Sequence, residues 1–179
     1  MALSNSEPCS VCGRYKNRRV AIDAIIIRDN KILLIKRAFE PFKGFWALPG
    51  GGVDFDETAE DAVRKEVWEE VGLKVTSIKF LNIYTDPDRD PNQVTALAYF
   101  AETEGEPKAG SDAKECEFFP LNHFPEPVAL DHKKIIQEYL DKRSCSLKLW
   151  YNYLHVLYTF CLDCVAFFRF ARSNHKINQ

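Results

Sequence analysis

Three consecutive glycines, Gly50-Gly51-Gly52, are followed by a helix-forming run from Thr58 to Val71 in which Glu66, Glu69 and Glu70 stand at i, i+3 and i+4. At about 100° per residue these carboxylates share one face of a helix, although like charges so spaced weaken a helix in isolation. Ala59, Val63, Val67 and Val71 repeat every four residues along the adjoining flank, which marks the side that packs inward, and Gly72 ends the run. An acidic stripe on a helix is most often a solvated face. Here it borders the apolar flank and is fed by a glycine-rich turn, an arrangement that brings hard oxygen ligands together. Such ligands suit Mg²⁺ or Mn²⁺, which combine carboxylates with waters and substrate phosphates.

The rest of the chain supplies strands and a second helix around this stretch. Val20 to Ile27 is rich in β-branched residues, Asp29-Asn30 is a turn signal, and Ile32 to Ile35 follows, so the pair reads as a β-hairpin. Phe45 to Leu48 reads as a short strand stopped by Pro49 and the glycines. Val75 to Tyr84 and Val94 to Ala101 read as strands flanking the polar loop Thr85 to Asn92, and Glu117 to Pro120 as a late strand after a charged linker. Asp131 to Arg143 reads as a helix with Ile135, Ile136, Tyr139 and Leu140 on its buried side. Interleaved strands and helices with hairpins imply a mixed sheet flanked by helices.

Composition divides the chain. The 179 residues carry a formal net charge of -2, which argues against an electrostatic nucleic-acid binder. Beyond Arg143, four basic side chains (Lys148, Arg169, Arg172, Lys176) face one acidic (Asp163) in a stretch dense in aromatics. The preceding body is therefore more acidic than the total suggests. This gives an N-terminal segment 1–17, a body 18–143 and an apolar extension 144–179. For the extension, a helix docking on the body or a second subunit is favoured over a membrane segment, because Asn152, His155 and Asp163 interrupt Leu149 to Phe168 and a carboxylate is costly at membrane depth; an extension that does not fold stably is the third alternative. Met1 to Pro8 lacks the apolar core of a secretory signal, so a reducing cytoplasm is expected and disulfides are not. The CxxC pairs Cys9/Cys12 and Cys161/Cys164 lie far apart, and a shared zinc site is not expected.

Gly51-x5-Glu57-x7-Lys65-Glu66-Val67-Trp68-Glu69-Glu70-Val71-Gly72-Leu73 resembles the Nudix box, G-x5-E-x7-R-E-U-x-E-E-x-G-U, where U is bulky and aliphatic. Trp46 to Gly51 has the form in which that family enters its box. The resemblance covers about Arg18 to Lys142 and implies the Nudix fold, an α/β architecture with a mixed β-sheet sandwiched between helices, here with an extra aromatic-rich C-terminal helical tail. It departs from the family at Lys65, which keeps the charge of the family's arginine without its planar fork. Lys65 is in reach of Glu69 at i+4, whereas Arg64 points elsewhere. Cys9 to Gly13 is also similar to the first knuckle of a zinc ribbon that precedes some Nudix domains, but the second knuckle is missing before the first strand.

The resemblance implies that Glu66, Glu69 and Glu70, with the carbonyl of Gly50, bind Mg²⁺ or Mn²⁺, that Glu57 and Lys65 support that site, and that a pyrophosphate bond is hydrolysed. Glu115 is the candidate for an additional base. Arg37 and Arg89 suit phosphate or ribose recognition, and Phe42 and Phe45 suit stacking on a base, with plain packing as the alternative for both aromatics. His132 reads as structural. Tyr84 to Pro91, Phe119-Pro120-Leu121 and Leu130-Asp131-His132 are similar to segments of microbial ADP-ribose pyrophosphatases, although Asn92-Gln93-Val94 departs from them. The partner implied is a small nucleotide, foremost ADP-ribose, cut to AMP and ribose 5-phosphate. A sanitising diphosphatase for 8-oxo-dGTP-type nucleotides and a non-catalytic nucleotide-binding regulator are the alternatives. Relatives of this kind are often homodimers.

Overall fold

The apolar run that opens the body serves two sheets. A computed structural model describes residues 18–110 and 113–143; the zinc question at the CxxC pairs and the role of the extension fall outside these residues. The elements are β1 (Val20–Ile25), β2 (Ile27–Arg28), β3 (Lys31–Arg37), β4 (Trp46–Ala47), β5 (Gly50–Gly52), α1 (Ala59–Val71), β6 (Lys74–Tyr84), β7 (Thr95–Glu104) and β8 (Ala113–Pro120), followed by helix α2 at 132–143. The chain divides into two compact units, Met1–Ile136 and Gln137–Gln179. Of the second, the described residues 137–143 are helical.

β2 and β3 form the expected hairpin, with Ile27 opposite Ile32 and Arg28 opposite Lys31. Asp29 and Asn30 both take positive φ, 48° and 59°, as the two-residue turn of such a hairpin requires. The expected first arm is corrected, however, because the chain parts at Ile26. β1 lies in a different sheet, ordered β5-β1-β7-β6, parallel to β7 and antiparallel to β5. The second sheet is built on β3, which takes β8 along one edge and β2 and β4 along the other. The run from Ile22 is buried on both sides, Ile22, Ala24, Ile25 and Ile26 alike, and a doubly buried strand has no alternation from which its neighbours could be read.

Helix α1 follows its sequence pattern. Thr58 caps it, Oγ1 accepting from the Asp61 N–H at 3.1 Å, and Gly72 closes it at φ 65°, in the left-handed region that glycine enters without strain. Its last carbonyls are met by a loop: Lys108 N–H donates to Val71 O and Gly110 N–H to Glu70 O, both at 2.9 Å. Ala62, Val63, Val67 and Val71 are fully buried and share one core with Ile22, Ala24, Leu33 and Ile35. Complete burial of a valine contributes about 1.5–3 kcal/mol, so this flank fixes the helix over β1 and β5 and decides where its carboxylates emerge.

Candidate active site at the glycine strand

The glycines predicted to stop a strand are themselves one. Gly50, Gly51 and Gly52 pair with Asp23, Ile22 and Ala21 at the edge of the first sheet. Glycine is depleted in strands, but here close approach demands it. A Cβ on Gly50 would stand 2.1 Å from the Ile22 carbonyl oxygen, and one on Gly51 would stand 2.5 Å from Cδ of Glu66. The missing side chains let α1 lay its acidic face on β5. The Gly50 N–H donates to Glu70 Oε2 at 2.9 Å, and Glu70 is 5% exposed.

Glu66 and Glu70 face a cavity of about 230 Å³, walled by the glycines, with Arg37 and Phe39 at its margin. Glu69, on the same helix face by spacing, is exposed and does not line it. Arg37 sits at the end of β3, and its Nε donates to the Pro41 carbonyl at 2.9 Å. A second cavity of about 210 Å³ shares Arg37 and the three glycines and continues past Phe42 to Arg89 and Asp90. A third, of about 560 Å³, extends from Phe42 along Pro87–Gln93. The three form a groove with the β5 backbone as the wall common to its first two parts.

Phe42 lines both outer parts of the groove, and its φ is 67°, an uncommon conformation for a bulky residue. Its ring meets Phe45 edge-on at 5.7 Å, and both rings pack against the core. Phe45 belongs to that packing and lines none of the three cavities.

Lys65 corrects one expectation. Its Nζ donates to Asp54 Oδ2 at 2.7 Å and to Glu57 Oε1 at 2.8 Å, and stands 3.9 Å from Glu66 Oε1; it does not turn toward Glu69. Helical Cα–Cβ bonds tilt toward the N-terminus, so the lysine runs back to the loop before the helix, where Glu57 Oε1 also accepts the Asp54 N–H at 2.7 Å. Hydrogen bonds to those two carboxylates hold the ammonium above the ordinary lysine pKa. Arg64, as expected, does not stand in: it donates to Glu60 O at 3.1 Å.

The structure does not bring Glu115 or Arg89 to the acidic cavity. Glu115 is opposite Lys36 in the β3–β8 ladder and pairs with it at 3.3 Å, with its side chain 49% exposed. The neighbours Ile35 and Cys116 face the core, so alternation puts Lys36 and Glu115 on the outer face. Arg89 is buried. Nε and Nη2 donate to Asp131 at 3.0 and 2.7 Å, and Nη1 to the Val94 carbonyl at 3.0 Å. Its fork is held by an internal carboxylate, while the residue lines the second and third cavities. His132 is buried, and its Nδ1 accepts the Leu48 N–H at 2.9 Å. Asp54, Phe39 and Asp23 were not picked out by sequence, and Asp131 only within Leu130-Asp131-His132. A single carboxylate inside the run Val20–Ile27 was the available signal for Asp23.

A divalent cation fits the donor set. Two carboxylates face a cradle that a single Cβ would fill, with room beside them for waters and phosphate oxygens, the mixture Mg²⁺-type ions prefer. Among the described residues, no three His, Cys, Asp or Glu side chains converge on one point.

These features define a nucleotide-hydrolase scaffold, and residues 17–139 match the NUDIX domain. The chain belongs to the Nudix family. It is 51% identical over 128 residues to an ADP-ribose pyrophosphatase of Methanocaldococcus jannaschii, a match covering 70% of this chain and 75% of that protein. Among solved structures, the NUDIX domain of Shewanella oneidensis NrtR, crystallised with ADP ribose, superposes with a TM-score of 0.65 at 25% identity, covering 72% of this chain and 90% of that one. A MutT/nudix family protein from Enterococcus faecalis superposes at 0.63 with 31% identity, covering 69% and 61%. No helix among the described residues is long and apolar enough to cross a membrane.

Proposed function

We propose that the protein hydrolyses the pyrophosphate bond of ADP-ribose to AMP and ribose 5-phosphate, within a Nudix domain spanning 18–143. The observation that carries this reading is the closure of Glu66 and Glu70 onto the glycine strand, beside cavities that share Arg37, the glycines and Phe42. The 51% identity to the M. jannaschii enzyme selects ADP-ribose among Nudix substrates.

In this reading Glu66 and Glu70, with the Gly50 carbonyl, would hold Mg²⁺ or Mn²⁺, and Glu69, exposed beside them, would contribute less. When bound, the metal neutralises charge developing on the phosphates and lowers the pKa of attacking water. The chain's own residues orient and enclose. Glu57 and Lys65 brace the start of α1, Arg37 stands between the first two parts of the groove, suited to phosphate oxygens, and Phe42 offers a ring to the base. Because β5 carries no side chains, the pyrophosphate can approach backbone directly.

The test is product analysis of purified full-length protein with Mg²⁺ and Mn²⁺ against ADP-ribose, NADH, nucleotide sugars and 8-oxo-dGTP. AMP and ribose 5-phosphate in equal amounts, with kcat/KM highest for ADP-ribose, is the expected result. A nucleoside monophosphate plus pyrophosphate from 8-oxo-dGTP as the preferred reaction would overturn it, as would ADP-ribose binding without turnover.

A further inference from the structure

Behind the glycine strand, four side chains from three separated segments meet, three of them buried and Asp131 partly so: Asp23 on β1, Arg89, and Asp131 and His132 at the start of α2. Ile22 and Ala24 face α1 through the core, so Asp23 projects from the opposite face of the sheet. His132 Nε2 stands 3.3 Å from Asp23 Oδ1, and Arg89 Nη2 stands 3.7 Å from Asp23 Oδ2 and 2.7 Å from Asp131 Oδ1. Asp23 Oδ2 and His132 Nε2 are completely buried and close no hydrogen bond with any described residue. Buried polar groups aimed at one another in this way are rarely retained without a task.

The other ring nitrogen shows the task. Nδ1 accepts the Leu48 N–H, so the imidazole is neutral there and carries its proton on Nε2, toward Asp23. Leu48 begins the approach to the cradle. Its N–H is held by His132, the Pro49 carbonyl accepts from Ala24 N–H at 2.8 Å, and the Gly50 N–H donates to Glu70. Three successive residues are thus each tied by one hydrogen bond. The first tie comes from a side chain 84 residues away.

We propose that His132 is a positioning residue for the active site: oriented by Asp23, itself flanked by the Arg89–Asp131 pair, it fixes the Leu48–Gly50 backbone and so the placement of Gly50 against Glu70. The effect on turnover rests on the hydrolase reading; the effect on the backbone does not.

The experiment compares His132→Leu, which removes the acceptor, with His132→Asn, whose amide oxygen can replace Nδ1, in the full chain. Amide hydrogen exchange is read at Leu48 and Gly50 and, as an internal control, at Val67 on α1. In His132→Leu, exchange at Leu48 and Gly50 rises about tenfold while Val67 is unchanged, and kcat for ADP-ribose falls about tenfold with KM within twofold, the scale usual for groups that orient a metal site. In His132→Asn, both return to within about threefold of wild type. Should His132→Leu not fold, Asp23→Asn takes its place with the same expected pattern. Unchanged Leu48 exchange in the acceptor-free variant, or equal damage in the leucine and asparagine variants, overturns the proposal. Loss of exchange protection in a protein that never cleaves ADP-ribose would leave the positioning role standing and sink the hydrolase reading instead.

Discussion

Lys65 Nζ and Glu57 Oε1 lie 2.8 Å apart, joining the second turn of α1 to the loop that leads into it. Asp54 is held by the same ammonium at 2.7 Å. Lysine therefore does at this position what two separate donors are needed for, and an arginine fork could take the same two carboxylates with less freedom. Lys65→Arg is expected to retain or raise kcat/KM, whereas Lys65→Met is expected to lower it about tenfold. Steady-state kinetics on the two variants decide the point, and equal activity of Lys65→Met and wild type would remove Lys65 from the site.

The same pair fixes a pH expectation. The Asp54 and Glu57 hydrogen bonds raise the Lys65 pKa in the folded state, so its stabilising contribution is fully present below the ordinary lysine pKa and is lost only as pH rises through the higher folded value. Lys65 stays charged throughout an assay range of about pH 6 to 10. Any alkaline fall in kcat inside that range belongs to another group and should persist unchanged in Lys65→Arg. A limb that moves with this substitution would contradict the assignment.

The two cradle glycines should fail in different ways. At Gly51 the obstacle to a Cβ is the carboxylate end of Glu66, a flexible group, while at Gly50 it is the Ile22 carbonyl oxygen at 2.1 Å, which is backbone. Gly51→Ala is expected to fold with nearly wild-type Tm and to lose about 100-fold in kcat/KM as Glu66 is pushed aside. Gly50→Ala is expected to lose about 2 kcal/mol or more of stability, because the strand pairing itself must shift. Thermal melts and kinetics of both proteins separate the two effects.

That difference also explains what could be read from the chain in advance. Helix α1 was legible because its evidence is local: a helix-forming run from Thr58, apolar residues every four positions and a terminal glycine. The turn at Asp29-Asn30 was legible for the same reason. The strand Gly50–Gly52 was not, since propensity makes glycine a breaker, and what recommends it here is contact with Ile22 and Glu66, remote in sequence. The placement of Glu115 was not legible because its face depends on its register with Lys36, nor was that of Arg89, whose partner Asp131 lies 42 residues on. The partition of three box glutamates into two that line the cavity and one that does not also depends on how α1 is rolled on the core.

Arg89 should therefore behave as a stability residue before it behaves as a substrate contact. Its side chain is 3% exposed and bidentate on Asp131, and removing one member of such a buried pair strands the other charge, at about 3–5 kcal/mol. Arg89→Met is expected to lower unfolding free energy by that order. Asp131→Asn combined with Arg89→Met should recover part of the loss, because the stranded carboxylate is then gone. Denaturant unfolding of the single and double variants tests this, and a single variant of wild-type stability with a raised KM would return Arg89 to substrate binding.

The unequal burial of the box glutamates sets the last expectation. Glu66 and Glu70 line the cavity, whereas Glu69 is exposed on the helix beside them. Glutamine at position 70 keeps an acceptor for the Gly50 N–H and removes the charge, so Glu70→Gln should fold normally while kcat falls at least about 100-fold. Glu66→Gln should match it. Glu69→Gln should lose less, because its carboxylate stands away from the cavity wall. Chelation with EDTA is expected to bring wild-type activity to background and excess Mg²⁺ to restore it, since the chain alone supplies anionic ligands facing an anionic substrate. Comparing the three variants over a Mn²⁺ titration checks the order: half-saturation should rise sharply for Glu66→Gln and Glu70→Gln and little for Glu69→Gln. A Glu69 variant as impaired as the other two would overturn this order.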